Sequence, residues 1–196
     1  MQKIIPSSAI LIPENAHNVF KGQIFDVYQW QQELFDQTEV TFEMLKRPDT
    51  VAAICIVDGQ ILVIDDEQPH SGSRKSFPGG RVDQSDESVD AAIKREVHEE
   101  TGYVFKNYRL LRVWQPHSKM EWFVYLYLAW DIDSKDEPHV DPGEKISVEP
   151  LSFLDVKTLV LNNSGYLGDA SDPFDSLNNL EELLELSAYN GATVDR

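Results

Sequence analysis

The chain predicts an α/β fold: a mixed β-sheet sandwiched between helices and preceded by a separate N-terminal β-hairpin element. Three observations carry this reading. Strand-like segments stand both before and after one strongly patterned helix near residues 88–102, and a second helix comes late, over Leu154–Leu161. The segment Glu121–Asp131 (EWFVYLYLAWD) is apolar nearly throughout, which suits a strand covered on both faces. Helices above and below such a strand are the layer arrangement that buries it.

Residues 1–17 carry no strong period and read as a leader or an irregular strand. Val19–Leu34 mixes aromatic and β-branched residues with partial alternation, Phe35–Thr38 makes a turn, and Glu39–Lys46 is the returning strand. Two strands alone are marginal in water, so the element over 1–46 must lean on another surface. Arg47-Pro48-Asp49 opens the main domain, expected over 47–165. There Val51–Val57, the pair Asp58-Gly59 and Ile61–Asp65 form a hairpin with a type I′ turn. Glu67–Lys75 is polar and reads as a loop before a strand over 76–82 (SFPGGRV).

The helix that follows has its signals in place. Ser88 is the N-cap, Asp90 puts negative charge in the first turn, and Gly102 suits the left-handed cap. Phe105–Gln115 and Glu121–Asp131 are strands around a short loop. Asp133–Glu144 is a polar segment of twelve residues, too long for a plain turn and therefore a functional candidate. A short strand over 145–153 leads into the helix Leu154–Leu161. The remainder, 166–196, reads as a helical extension with its last helix over 174–189 (FDSLNNLEELLELSAY).

With 196 residues the chain can bury one sizeable core and a small appended element. No run of 18 apolar residues occurs, so no membrane span is expected. The opening residues lack the long apolar stretch of a signal peptide, which makes the cytoplasm the expected location. The lone Cys55 lies in an apolar strand and reads as a buried thiol rather than a nucleophile. The formal net charge of −17 leaves no basic surplus to displace counterions from a polyanion. Nucleic-acid binding is thereby disfavoured and a small-molecule partner favoured. A phosphate-bearing substrate would have to be met by bound cations and a few local arginines or lysines.

The chemistry concentrates in Phe77–Tyr103 (FPGGRVDQSDESVDAAIKREVHEETGY). At about 100° per residue, Glu96, Glu99 and Glu100 share an arc of roughly 100° that adjoins Val89, Ala92 and Ile93. A solvated acidic face would lie opposite the apolar stripe, whereas these glutamates lie beside it. Like charges gathered there repel unless a cation joins them, and oxygen-only ligation is what Mg²⁺ or Mn²⁺ requires.

This stretch resembles the Nudix box, whose pattern is G-x5-E-x7-R-E-U-x-E-E-x-G-U, with U bulky and apolar. Arg95, Glu96, Val97, Glu99, Glu100, Gly102 and Tyr103 match it, and seven residues separate Glu87 from Arg95. Six residues rather than five lie between Gly80 and Glu87, so the loop carries one extra. The order of N-terminal hairpin, K-R-P-D-T-V and box further resembles the ADP-ribose pyrophosphatase branch, over about residues 18–162.

That resemblance implies a Nudix α/β/α sandwich and a metal-dependent hydrolase of nucleoside diphosphate derivatives, ADP-ribose first. Nucleotide sugars, dinucleotides and nucleoside triphosphates are alternatives, and a non-catalytic ligand-binding module is a third class. An enzyme acting on RNA ends would call for a basic channel, which the charge disfavours. Glu96, Glu99, Glu100 and the carbonyl of Gly79 are the implied ligands for Mg²⁺ or Mn²⁺. Gly80, Glu87, Arg95 and Gly102 are implied to be structural, with Arg95 tying loop to helix through a carboxylate. The implied general base is Glu144, in the loop before the last strand, with Asp141 as its understudy. Glu121 is a further candidate for the metal cluster or the substrate. Arg47, Arg81 and Lys119 are candidate phosphate or ribose contacts, and Trp30 could stack an adenine. The branch also implies a homodimer in which the N-terminal β element reaches the partner's pocket. One more departure bears on specificity: His70 stands where many ADP-ribose hydrolases carry an arginine after the Glu-Gln pair.

Overall fold

The computed structural model describes residues 2–69, 72–140, 143, 145–163 and 166–195. In chain order the strands and helices begin with β1 (Gln2–Ile5), β2 (His17–Lys21), β3 (Asp26–Glu33) and β4 (Glu39–Lys46). The main domain follows with β5 (Thr50–Val57), β6 (Gln60–Gln68), β7 (Gly72–Ser76) and α1 (Val89–Thr101). Then come β8 (Tyr103–Trp114), β9 (Met120–Glu121), β10 (Val124–Lys135), β11 (Lys145–Leu151) and α2 (Phe153–Leu161). Three short helices, α3 (Tyr166–Asp169), α4 (Ser171–Phe174) and α5 (Leu180–Glu185), precede β12 (Ala192–Asp195).

The main sheet is mixed and runs β11-β6-β5-β10-β8, with β7 also paired to β6. At its centre β10 lies parallel to β5 and antiparallel to β8. Residues Val124 to Ala129 are all buried, as the unbroken apolar run required. Alternation sorts these strands onto two cores. Val51, Ala53, Cys55, Tyr125 and Tyr127 face Ala92, Ile93 and Val97 of α1. Ile54, Leu126 and Leu128 face Val156 and Val160 of α2 and the tail residues Leu167, Phe174 and Leu183. The result is the expected α/β/α sandwich. The β5–β6 turn has the type I′ signature, with φ of 50° at Asp58 and 77° at Gly59.

Several elements differ from the sequence reading. The stretch Val19–Leu34 is two strands, because Gly22 turns the chain: its N–H donates to the Phe25 carbonyl at 3.1 Å. A Cβ on Gly22 would lie 2.5 Å from that oxygen. The N-terminal element is therefore a four-stranded sheet, β2-β3-β4-β9, completed by Met120–Glu121 from the main domain. The polar stretch 67–75 is largely a hairpin rather than a loop, since Asp65 and Asp66 of β6 pair with Lys75 and Arg74 of β7. Opposite charges directly across an antiparallel pair favour that register.

The strand expected over 76–82 pairs with β5 only in part. Ala53 and Val51 donate to the carbonyls of Pro78 and Gly80 at 2.8 and 2.9 Å and the Val82 N–H returns to the Asp49 carbonyl at 2.9 Å, but Pro78 has no N–H to give. The helix expected over 174–189 is interrupted. Asn179 instead caps the short helix α5 by accepting from the Glu182 N–H at 2.9 Å. The last strand, β12, pairs with β1 and brings the two described ends together.

Candidate active site

Helix α1 begins where Ser88 accepts the Ala91 N–H at 3.0 Å and ends at Gly102, whose φ is 72°. Its apolar stripe seats it on the sheet, which fixes the bearing of its glutamates. Glu100 is 8% exposed, and its Oε2 accepts the Gly79 N–H at 2.7 Å. Gly79 takes a φ of 151° and runs so close to β5 that a Cβ would lie 2.1 Å from the Val51 carbonyl oxygen. On Gly80 a Cβ would lie 2.7 Å from the Glu96 carboxylate. The glycine pair thus lets bare backbone lie against two carboxylates, which no side-chain-bearing residue would permit.

Arg95 joins loop to helix, but its partner is Asp86 and not Glu87. Nε donates to Asp86 Oδ1 at 3.0 Å and Nη2 to Oδ2 at 2.8 Å, while Nη2 also reaches the Arg81 carbonyl at 3.0 Å. Glu87 is exposed. The reason is local: Asp83 and Asp86 close a tight turn, with the Asp83 N–H on Asp86 Oδ2 at 2.8 Å, and this aims Asp86 at the helix. Five residues lie between Gly80 and Asp86, so the extra residue of the box falls after this carboxylate rather than before it. Hydrogen bonding to Arg95 holds Asp86 below the usual carboxylate range and keeps the guanidinium charged.

The remaining nitrogen, Nη1, lies between Glu96 Oε1 at 2.8 Å and Glu99 Oε2 at 3.0 Å. Burial pushes Glu96 up to about 7 in spite of Arg95, with Glu99 and Asp83 adding repulsion. Among the described residues no three acidic, imidazole or thiol side chains converge closely enough to grip an ion. Glu96 and Glu99 are instead both turned to Arg95. In donor chemistry the group still fits a hard divalent cation. It offers oxygen only, and it contains Glu96, a carboxylate that burial raises in spite of the adjoining Arg95. Glu96, Glu99, Glu100, Gly79, Gly80 and Arg81 line one cleft of about 360 Å³, and Val140 of the polar segment lines it too.

The other candidates divide. Arg47 lines the cleft, with its guanidinium 4.5 Å from the centre of the Trp122 ring. Arg81 lines it as well and is held by Asp83 at 2.9 Å. Glu121 does not line it. Glu121 is 4% exposed; its Oε1 takes Lys46 Nζ and its Oε2 the Ile12 N–H, at 2.7 and 2.8 Å. It is a structural tie between β9, β4 and the N-terminal segment, which corrects its assignment to the substrate. Trp30 lies elsewhere, packed on Phe42 at 5.2 Å in a separate depression with Lys119. Glu144, Asp141 and His70 lie outside the described residues.

Sequence reasoning missed Asp86, for which the five-residue spacing from Gly80 was the available signal. It also missed Asp66, Gln68 and Arg74, which the β6–β7 hairpin brings to the cleft edge. Their pairing is set across the hairpin and leaves no local motif.

The site is thus an α/β/α sandwich that presses a glycine turn against helix-borne glutamates. The model of the NUDIX domain family matches residues 46–170, and the chain belongs to that family. Within it, the chain is 25% identical over 152 residues to the ADP-ribose pyrophosphatase of Bacillus subtilis (strain 168), covering 76% of this chain and 82% of that one. Among solved structures it is similar to an ADP compounds hydrolase, with a TM-score of 0.62, 21% identity, and coverage of 87% of this chain and 89% of the other. The protein is a Nudix hydrolase that resembles the ADP-ribose pyrophosphatase branch.

Proposed function

We propose that the protein hydrolyses the diphosphate linkage of a nucleoside diphosphate derivative, ADP-ribose first, to AMP and ribose 5-phosphate, with Mg²⁺ or Mn²⁺ as cofactor. The observation that carries this is the buried Glu100 held on the Gly79 N–H, with Glu96 and Glu99 in the same cleft. The similarity to an ADP-ribose pyrophosphatase supports the substrate class. Glu96, Glu99, Glu100 and the Gly79 carbonyl would hold the metal, which when bound neutralises phosphate charge and acidifies coordinated water. Arg47 and Arg81 would orient the phosphates, and Arg95 would keep the helix and loop in register.

The reaction forms a bond from a water oxygen to one phosphorus and breaks that phosphorus's bond to the bridging oxygen, which departs with the electron pair. Glu144 takes the water's proton, the work of a general base. Asp83, the cleft carboxylate off the helix, is held by Arg81 at 2.9 Å, whereas the segment leading to Glu144 reaches the cleft: the His139 N–H donates to the Glu99 carbonyl at 2.8 Å.

The functional unit we propose is a homodimer built through the N-terminal sheet. Phe20, Val19 and Ile24 there are 59%, 52% and 49% exposed, an apolar face that a second copy would cover. Sedimentation showing only monomer at micromolar concentration would remove the dimer. The hydrolytic reading is tested by phosphate release, coupled through alkaline phosphatase, across ADP-ribose, nucleotide sugars, dinucleotides and nucleoside triphosphates. Preference for ADP-ribose is expected. Preference for another diphosphate would keep the reaction and change the substrate, and silence with both metals would end the enzymatic reading.

A further inference from the structure

Beyond β10 the chain doubles back along α1, and Gly102 is where it turns. β10 stays paired with β8 to its last residue, Lys135 opposite Tyr103, with Lys135 Nζ 4.5 Å from the centre of the Tyr103 ring. The next residues climb the last turn of the helix. The Asp136 N–H donates to the Gly102 carbonyl at 2.8 Å, and the His139 N–H to the Glu99 carbonyl at 2.8 Å. Val140 then lines the cleft together with Glu96 and Glu99. The Glu99 carbonyl is one of those that a helix leaves unpaired at its C-terminus, so the helix end itself is the seat. That seat has no room for a side chain. A Cβ on Gly102 would lie 2.1 Å from the Asp136 carbonyl oxygen and 3.3 Å from the Pro138 nitrogen. The left-handed φ of 72° accounts for a glycine as helix cap, a place that asparagine also takes. The approach of Asp136 is a second and separate demand, which only a bare backbone meets.

We infer that Gly102 is a positioning residue for the hydrolysis: it leaves the end of α1 bare, so that residues 136–140 lie on the helix that carries the site's glutamates. The inference rests on the reading that the base stands on this arm, at Glu144, four residues beyond Val140. Glutamates and base come from distant parts of the chain, and a displacement of about 1 Å between such groups can cost a hundredfold in rate. A seat on the same helix turn ties the two together. Whatever moves Glu99 carries its carbonyl along, and with it His139 and the arm.

The test separates the seat from the cap. Gly102→Asn keeps the cap conformation within reach and adds the obstructing Cβ. His139→Pro leaves α1 unaltered and removes the arm's N–H together with the imidazole, and His139→Ala, which removes the imidazole alone, is its control. Thermal melts first show that each variant is folded. Amide hydrogen exchange over residues 135–140 should be about tenfold faster in Gly102→Asn and His139→Pro than in wild type or His139→Ala. With ADP-ribose and Mg²⁺, the same two variants should lose kcat by about 10- to 100-fold, with KM within about twofold and the Mg²⁺-dependent rise in Tm retained. His139→Ala should keep kcat within about twofold. Wild-type kcat in Gly102→Asn and His139→Pro, or exchange no faster than wild type, would overturn the assignment. So would loss of the Tm rise or a change confined to KM, either of which would make Gly102 a cap and nothing more. Wild-type turnover in Glu144→Gln beside a loss of kcat in His139→Pro would leave the seat standing and remove Glu144 as the base. Silence of wild type toward every substrate would end the hydrolytic reading, and exchange would still decide whether Gly102 seats the arm.

Discussion

Asp86 and Arg95 meet as a two-pronged ion pair, Nε on Oδ1 at 3.0 Å and Nη2 on Oδ2 at 2.8 Å, with the Asp86 side chain 6% exposed. Bidentate carboxylate–guanidinium pairs are among the stronger charge-assisted contacts. Asp86→Ala leaves Arg95 in a partly buried place among other acids without its main partner. The expected loss of stability is about 2–3 kcal/mol in a denaturant melt. Glu87→Ala, which a strict count of the box would make the damaging change, should fall within about 0.5 kcal/mol of wild type. The reverse order would restore the insertion to the loop between Gly80 and Glu87.

Glu96 gives the fold a pH dependence of its own. Its folded pKa, raised to about 7 by burial against an ordinary 4.5, means that the native state prefers the protonated acid. That contribution is complete below pH 4.5 and is lost as pH rises to about 7. The metal-free protein should therefore lose on the order of 2–3 kcal/mol through this residue between pH 5 and 8. Glu96→Gln, neutral throughout, should show a flatter stability profile in EDTA and exceed wild type at pH 8. Parallel profiles for the two proteins would show that Glu96 is ionised across the whole range.

What was legible in the chain was whatever is decided locally. The caps of α1, Ser88 and Gly102, act within a turn of themselves, and the Asp58-Gly59 turn sets the β5–β6 register without outside help. The apolar run in β10 announced burial on both faces. Features decided by distant partners were not legible. The register Asp66 with Arg74 makes β7 from a polar stretch, and β12 exists because Ile4 and Ile5 lie opposite Thr193 and Ala192. The glutamates of the site were found because one helix carries all three. Asp86 was hidden because the pattern counts glutamates, whereas the fork needs only a carboxylate that the Asp83–Asp86 turn can deliver.

Metal should act on stability as well as on rate. A ligand that binds only the native state adds about 2.7 kcal/mol at one hundred times its Kd, and for a chain of this size that is a rise in Tm of roughly 5–10 °C. Wild type is expected to show such a rise with Mg²⁺ over EDTA at pH 8. In Glu100→Gln the amide oxygen can still accept from Gly79, so the variant should fold, but it gives up a charged ligand and most of the shift. An undiminished shift in Glu100→Gln would place the ion elsewhere.

Glu144 is the residue on which the proposed chemistry turns. Glu121, once a competitor, has both oxygens engaged by Lys46 and Ile12, so it cannot collect a proton without dismantling the junction it holds. The α1 glutamates are committed to Arg95 and Gly79. With Asp83 held by Arg81 at 2.9 Å, the base we propose comes from the segment that follows Val140, where Asp141 and Glu144 are the carboxylates. Glu144→Gln should fold, keep the Mg²⁺-dependent rise in Tm and bind AMP as wild type does, yet lose turnover by about 10²- to 10⁴-fold. A pH–rate profile separates this from a structural defect: the acidic limb of wild type should vanish in the residual activity of the variant. Retention of both rate and limb in Glu144→Gln, with their loss in Asp141→Asn, would move the base three residues upstream.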